Sequence, residues 1–185
     1  MIKAAVDEMR QRMDKSIDAF HKDLGKVRTG RASTSLIEGL MVDYYGTLTP
    51  LSQMATLSVP ESRLITVQPW DATALEVIER AILTSDIGLN PNNDGKLIRL
   101  SIPVLTEERR RDMVKLAKKC AEDARISVRN ARRDANELLK SLEKEKEISE
   151  DELKRSHDEV QVVTDEYIKK VDSIIKSKEE DIMEI

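Results

Sequence analysis

The chain has a single cysteine, Cys120, among its 185 residues. One thiol excludes an intrachain disulfide framework and any multi-cysteine zinc or iron–sulfur centre. Aromatic residues make up only 3% of the chain, so a large core has to be built from aliphatic side chains. The same scarcity leaves too few rings for a base-stacking platform. Glycine (6) and proline (5) are also sparse, which argues against an all-β protein with many tight turns. No apolar run approaches the roughly 18 residues that a membrane span requires. The N-terminal stretch carries Lys3, Asp7, Glu8, Arg10 and Arg12, leaving no apolar core for a signal peptide, and a reducing cytoplasm is the expected setting. A phosphate loop, a dinucleotide fingerprint and a His-rich metal spacing are all missing. Neither enzymatic activity nor a cofactor or metal is expected.

What the chain has in abundance is charge, 36% of all residues, arranged with helical periodicity. Ile2, Val6, Met9, Met13, Ile17, Phe20, Leu24 and Val27 recur in steps of three and four, an apolar seam of the heptad kind over residues 1–28. Thr29-Gly30 ends that pattern. A second seam follows Thr106, a candidate cap: Met113, Ala117, Cys120, Ala124, Val128, Ala131, Ala135, Leu138 and Leu142. Its many small side chains let a neighbouring helix approach closely. Ser149-Glu150-Asp151-Glu152 has the form of a capping box and opens a third helix, with Leu153, Val160, Val163, Tyr167, Val171, Ile174, Ile175 and Ile182 as its stripe. Three such stripes can cover one another as a bundle.

Between the first two helices the composition changes. Every glycine and proline lies between Gly25 and Pro103. Leu40–Tyr45, Thr47–Pro50, Ala55–Val59, Arg63–Gln68 and Lys96–Ile102 read as strands. Asp71 can cap a short helix bearing Leu75, Ile78 and Ile82 on one face, with Trp70 expected to pack beneath it. Asn90–Gly95 reads as a turn. The expected fold class is therefore α+β: a long three-helix bundle (residues 1–29 plus 106–185) with an inserted β/α/β domain (30–105). Two crossing segments, 29–35 and 101–105, would form a hinge.

Charge carries the strongest functional signal. From Arg109 to Arg133 there are ten basic residues against three acids, whereas residues 148–185 hold twelve acids against six bases. This segregation occurs in a chain of net charge −4. Arg125, Arg129 and Arg132 step by four and three, one residue out of phase with Ala124, Val128 and Ala131. They are expected to flank the buried seam and face outward, where guanidinium groups can grip phosphate oxygens. The bland alternative is a solvated face partly paired with the acidic third helix. A different alternative is a coiled-coil adaptor or holdase that binds protein through the bundle. His21 and His157 read as helix-surface or boundary residues rather than bases, and Cys120 as a small core residue.

Six blocks point to a family. They are Lys26-Val27-Arg28-Thr29-Gly30-Arg31-Ala32, Tyr44-Tyr45-Gly46-Thr47, Gln68-Pro69-Trp70-Asp71, Ser85-Asp86-Ile87-Gly88-Leu89-Asn90-Pro91, Leu105-Thr106-Glu107-Glu108-Arg109-Arg110 and Val128-Arg129-Asn130-Ala131-Arg132-Arg133-Asp134-Ala135-Asn136. In these the chain resembles bacterial ribosome recycling factors over essentially its full length. The resemblance implies an L-shaped molecule with a flexible two-strand hinge. It implies a monomer that binds the large ribosomal subunit after termination and, with elongation factor G and GTP, splits the ribosome into subunits. It also implies ribosomal-RNA contacts at Arg28, Arg31, Arg129, Arg132 and Arg133, to which the residue pattern adds Arg125. Thr29, Gly30, Arg31, Ser101, Ile102, Pro103, Val104 and Leu105 are the corresponding hinge residues, and the inserted domain would meet elongation factor G. The chain departs from the family where Leu48, Ser101 and Val104 stand at positions that often carry proline, which predicts a less rigid hinge.

Overall fold

The computed structural model describes residues 1–184. Two compact units divide the chain: Met1–Val27 with the segment from Glu108 onward, and Arg28–Glu107. The helices are α1 (Ile2–Gly25), α2 (Leu75–Thr84), α3 (Glu107–Lys144) and α4 (Glu150–Met183).

The first unit is built from α1, α3 and α4. At ~1.5 Å per residue, the 38 residues of α3 span roughly 57 Å. One end of its core joins Val6, Met9 and Met13 to Val128, Ala131, Ala135 and Leu139 and to Val160, Val163 and Tyr167. The other end joins Phe20, Leu24 and Val27 to Ala117, Ala121 and Ala124 and to Val171, Ile175 and Ile182. Sequence numbers thus rise together in α1 and α4 and fall in α3, so α3 runs antiparallel to both. The α4 capping box forms: Ser149 Oγ accepts from the Glu152 amide at 3.2 Å, and the Ser149 amide donates to Glu152 Oε2 at 2.8 Å.

Two details of the helices differ from the sequence reading. α1 ends at Gly25 rather than near Thr29, because the last amides turn to nearer acceptors: Lys26 N–H reaches Asp23 O and Val27 N–H reaches Leu24 O. Val27 stays buried all the same. The α3 seam runs through Ala121 and Leu139, leaving Cys120 half-buried and Leu138 43% exposed. The sequence offers two adjacent apolar pairs, 120–121 and 138–139, whose members lie at nearly equal angles on either side of the seam, and packing against α1 and α4 selects the second of each.

Tyr167 ties α4 to α1. The residue is buried, its phenol donates to Asp14 Oδ1 at 2.5 Å, and Lys170 Nζ lies 4.3 Å from the ring centroid. Burial first, and the bond to Asp14 second, push the phenol pKa up to about 12.

In the second unit, strands β3 (Ala55–Glu61), β4 (Leu64–Pro69), β5 (Pro91–Asn93) and β6 (Ile98–Ser101) form an antiparallel sheet in the order β3-β4-β6-β5. Alternate residues Ile65 and Val67 of β4, and Ile98 and Leu100 of β6, turn inward and are fully buried. They share a core with Leu75, Ile78 and Ile82 of α2, spaced at helical period as the sequence implied. A separate hairpin joins β1 (Met41–Tyr44) to β2 (Thr47–Pro50). Its two-residue turn holds Tyr45 at φ 51° and Gly46 at φ 80°, the pair of positive dihedrals that lets tight turns follow strand twist.

Two expectations for this unit are corrected. Pro91–Asn93 is a strand, with only the following residues turning: β5 is an edge strand, where a proline at the first position forfeits no ladder bond. Trp70 does not pack beneath the short helix. It is 67% exposed, and its indole N–H donates to Thr56 Oγ1 at 2.9 Å across the open side of the sheet.

Candidate nucleic-acid interface

Arg125, Arg129, Arg132 and Arg133 lie on α3 within an arc of about 100°, taking roughly 100° per residue. Arg125 and Arg132 occupy the edge of the arc nearest the buried seam and are half-buried, while Arg129 and Arg133 are exposed.

Their electrostatic situations differ. The expectation that all the arginines face outward fails for Arg125. Its Nε and Nη2 both donate to Asp172 Oδ1 of α4, at 3.1 and 2.7 Å, and its Nη1 donates to Glu122 Oε2 at 3.2 Å. The side chain keeps only 24% of its exposure. The bond to Asp172 raises the guanidinium pKa further, so this cation is fixed and largely neutralised by its own molecule. Arg129 shares the same acid, donating to Glu122 Oε1 at 3.1 Å, but both partners are about half exposed. The two guanidinium groups, Arg129 first, hold the Glu122 carboxyl below the usual carboxylate range. Exposed pairs of this kind contribute only ~0–1 kcal/mol and are readily exchanged for another anion. Among the described residues, Arg132 has no carboxylate partner. Its Nη1 makes one long bond, 3.4 Å, to the neutral Gln161 Oε1. Arg133 makes no hydrogen bond or ion pair among the described residues.

Arg28 and Arg31 belong to the second unit. The Arg28 guanidinium donates to the carbonyl oxygen of Ile87, beside Gly88 at φ +69°, where an added Cβ would lie 3.6 Å from Arg28 Nη2. Arg31 is exposed and its amide donates to Thr29 Oγ1 at 3.3 Å.

The segments read as hinge are unequal. Ser101 is part of β6 opposite Leu64, and the Ile102 amide donates to Arg63 O at 2.8 Å. Ala32 N–H donates to Ser62 O at 2.7 Å, so both segments are tied to the turn between β3 and β4. Gly30 holds φ +79°, with the Leu105 side chain 3.5 Å from the position of an added Cβ. Pro103, Val104 and Leu105 carry no regular structure.

Outside the arc, the described residues that the sequence singled out are Cys120, His157 and His21. Burial, then Asp23 and Asp123, push the Cys120 thiol up, away from the reactive thiolate. His157 Nδ1 lies 2.7 Å from Asn136 Oδ1, and His21 is exposed. The sequence reading missed Asp172 and Gln161, the α4 residues that meet the arginines. Glu122 was visible as an acid three residues before Arg125 on the same helix. Nothing in the sequence set the α3–α4 register that brings in the other two.

Residues 20–183 match the family model described as "Ribosome recycling factor". The chain belongs to the ribosome recycling factor family. The ribosome-recycling factor of Desulfatibacillum aliphaticivorans is 56% identical over 184 residues, covering both chains completely. That of Geobacillus kaustophilus is 53% identical over 185 residues, again at full length on both sides. A solution structure of a ribosome recycling factor superposes with a TM-score of 0.81 at 41% identity, covering 100% of this chain and 98% of the other. The T. thermophilus ribosome recycling factor, described together with E. coli elongation factor G bound to the E. coli post-termination complex, gives a TM-score of 0.69 at 45% identity and 99% coverage of each chain. Among the described residues, no helix is long and apolar enough to cross a membrane.

Proposed function

We propose that this protein binds the large ribosomal subunit after termination and, with elongation factor G and GTP, splits the post-termination complex so that its subunits can be reused. It acts as a non-catalytic factor in the cytoplasm, and the GTP is hydrolysed by its partner. What carries the reading is the arc of guanidinium groups on α3, closed at Arg125, held by one exposed carboxylate at Arg129 and open at Arg132 and Arg133, in a chain that belongs to this family. Arg129, Arg132 and Arg133 are the ribosomal-RNA contacts of the bundle. Arg125 acts as a brace between α3 and α4 rather than as a contact. Arg28 holds the entry to the small unit by its bond to Ile87, and Arg31 supplies a further contact from that unit. The hinge narrows to Thr29–Arg31 and Pro103–Leu105, since Ser101 and Ile102 are held by the sheet. The small unit receives elongation factor G, and the long bundle is the lever.

Sedimentation of post-termination ribosomes tests this reading. With the protein, elongation factor G and GTP all present, the ribosome peak gives way to separate subunits, and omission of any one leaves it intact. Splitting that proceeds equally without the protein overturns the reading. The brace has its own test. Arg125→Ala is expected to lose about 1 kcal/mol of unfolding free energy in urea titrations, in keeping with a partly exposed ion pair. Its affinity for large subunits is expected to stay within about threefold of the parent, the equivalent of less than ~1 kcal/mol.

A further inference from the structure

Polar pairs cross from α3 to α4 at a regular interval. Lys118 Nζ lies 3.6 Å from Glu179 Oε1, and Arg125 Nη2 lies 2.7 Å from Asp172 Oδ1. The next positions seven residues on, in the antiparallel sense, are Arg132 of α3 and Asp165 of α4. A third ion pair is therefore due at this rung, and it does not form. Asp165 Oδ1 instead accepts from Gln161 Nε2 at 2.8 Å, one turn back along α4. The carbonyl oxygen of the same amide faces Arg132 Nη1 at 3.4 Å. An amide can do this because it carries a donor and an acceptor on one planar group. Asp165 fixes which end of that group Arg132 meets.

We infer that Gln161 is a positioning residue that keeps Arg132 available for phosphate by occupying the carboxylate that would otherwise close on it. The inference rests on the proposal that Arg132 contacts ribosomal RNA. Its chemistry is competitive. A guanidinium held by two carboxylates, as at Arg125, must give up those bonds before it can take a phosphate. A guanidinium resting on one long bond to a neutral oxygen gives up little. The site also stays ordered, because the Gln161 carbonyl limits where the Arg132 side chain can swing. The same rung thus supplies orientation without neutralisation.

The test uses full-length Gln161→Ala, Asp165→Asn, the double variant and Arg132→Ala, with purified large ribosomal subunits as the probe. Residue 161 is exposed and alanine is a strong helix former, so folding is preserved. Gln161→Ala is expected to weaken binding by about threefold, the scale set by one exposed ion pair that must now be broken. Adding Asp165→Asn to Gln161→Ala is expected to restore affinity by more than the same change does in the parent chain, which is the coupling a double-mutant cycle isolates. A crystal structure of free Gln161→Ala is expected to show Arg132 within ion-pair distance of Asp165. Unchanged affinity in Gln161→Ala, or a loss that Asp165→Asn does not reverse, overturns the inference. So does a structure in which Arg132 remains apart from Asp165. Parent-like binding by Arg132→Ala overturns instead the RNA-contact reading on which the inference rests, and the crystal structure still decides whether Gln161 holds the two side chains apart.

Discussion

Replacing Arg132 and Arg133 together by alanine is expected to lower affinity for the large ribosomal subunit by roughly a hundredfold. Hydrogen bonds to charged groups are typically worth about 1.5–3 kcal/mol each, and every ~1.4 kcal/mol is a factor of ten. Two such contacts at the low end give that figure. The fold should tolerate the change. Arg133 is exposed and makes no bond among the described residues, Arg132 gives up only a 3.4 Å contact, and alanine suits a helix interior. Unfolding curves that overlay those of the parent, alongside binding isotherms shifted a hundredfold, would place the loss at the interface. Binding within a few-fold of the parent would remove these two residues from it. The same substitution should abolish splitting at factor concentrations that saturate the parent but not the variant. Splitting should return as the variant concentration is raised, because the lever and hinge are untouched.

The largest effect on stability is expected at Tyr167. Tyr167→Ala removes one of only two aromatic side chains in the bundle core and leaves Asp14 without its phenol partner. Large-to-small changes of a buried aromatic cost about 3–5 kcal/mol, and ~4 kcal/mol is a large share of the stability of most domains. Tyr167→Phe retains the ring and loses only the hydrogen bond, so about 1 kcal/mol is expected. Urea titrations of the two variants separate packing from polar contact. The pair also differs in alkaline solution. With its folded-state pKa raised to about 12, Tyr167 favours the folded protein fully below its unfolded value near 10. That contribution is lost as the pH rises from about 10 through about 12. Tyr167→Phe should lack this component of the alkaline loss, and identical alkaline profiles in parent and variant would refute the assignment.

Much of the architecture is legible in the sequence because it is set by local rules. The α1 and α4 stripes, the capping box at Ser149 and the inward face of α2 follow from periodicity and end-capping alone, and each is found in the structure. What escaped depends on neighbours. The seam of α3 could pass through Cys120 or Ala121, and through Leu138 or Leu139, until α1 and α4 fixed its phase. Pro91–Asn93 has the composition of a turn and becomes a strand only because β6 offers a partner at the sheet edge. Trp70, next to the Asp71 cap, reads as packing beneath the short helix, yet its indole finds an acceptor, Thr56, on an open face.

The candidate site divides along the same line. That arginines line one face of α3 is a matter of spacing. That Arg125 is taken by Asp172 while Arg132 is spared depends on the α3–α4 register and on which atom of Gln161 faces which helix. Long-range pairing of polar groups between helices leaves almost no local signature. A cationic face read from sequence is therefore an upper bound on the charge available to a partner.

The dependence of large-subunit binding on salt tests the central claim most directly. Each neutralised phosphate releases counterions and contributes about −0.7 to −0.9 to the slope of log affinity against log salt. Two open guanidinium groups on α3, with Arg129 able to exchange its exposed carboxylate for phosphate, therefore predict a bundle contribution of roughly −2 to −3, and Arg133→Ala should flatten the measured slope by nearly one unit while Arg125→Ala leaves it unchanged. A slope that Arg133→Ala leaves unaltered, or one that Arg125→Ala flattens just as much, would contradict the account.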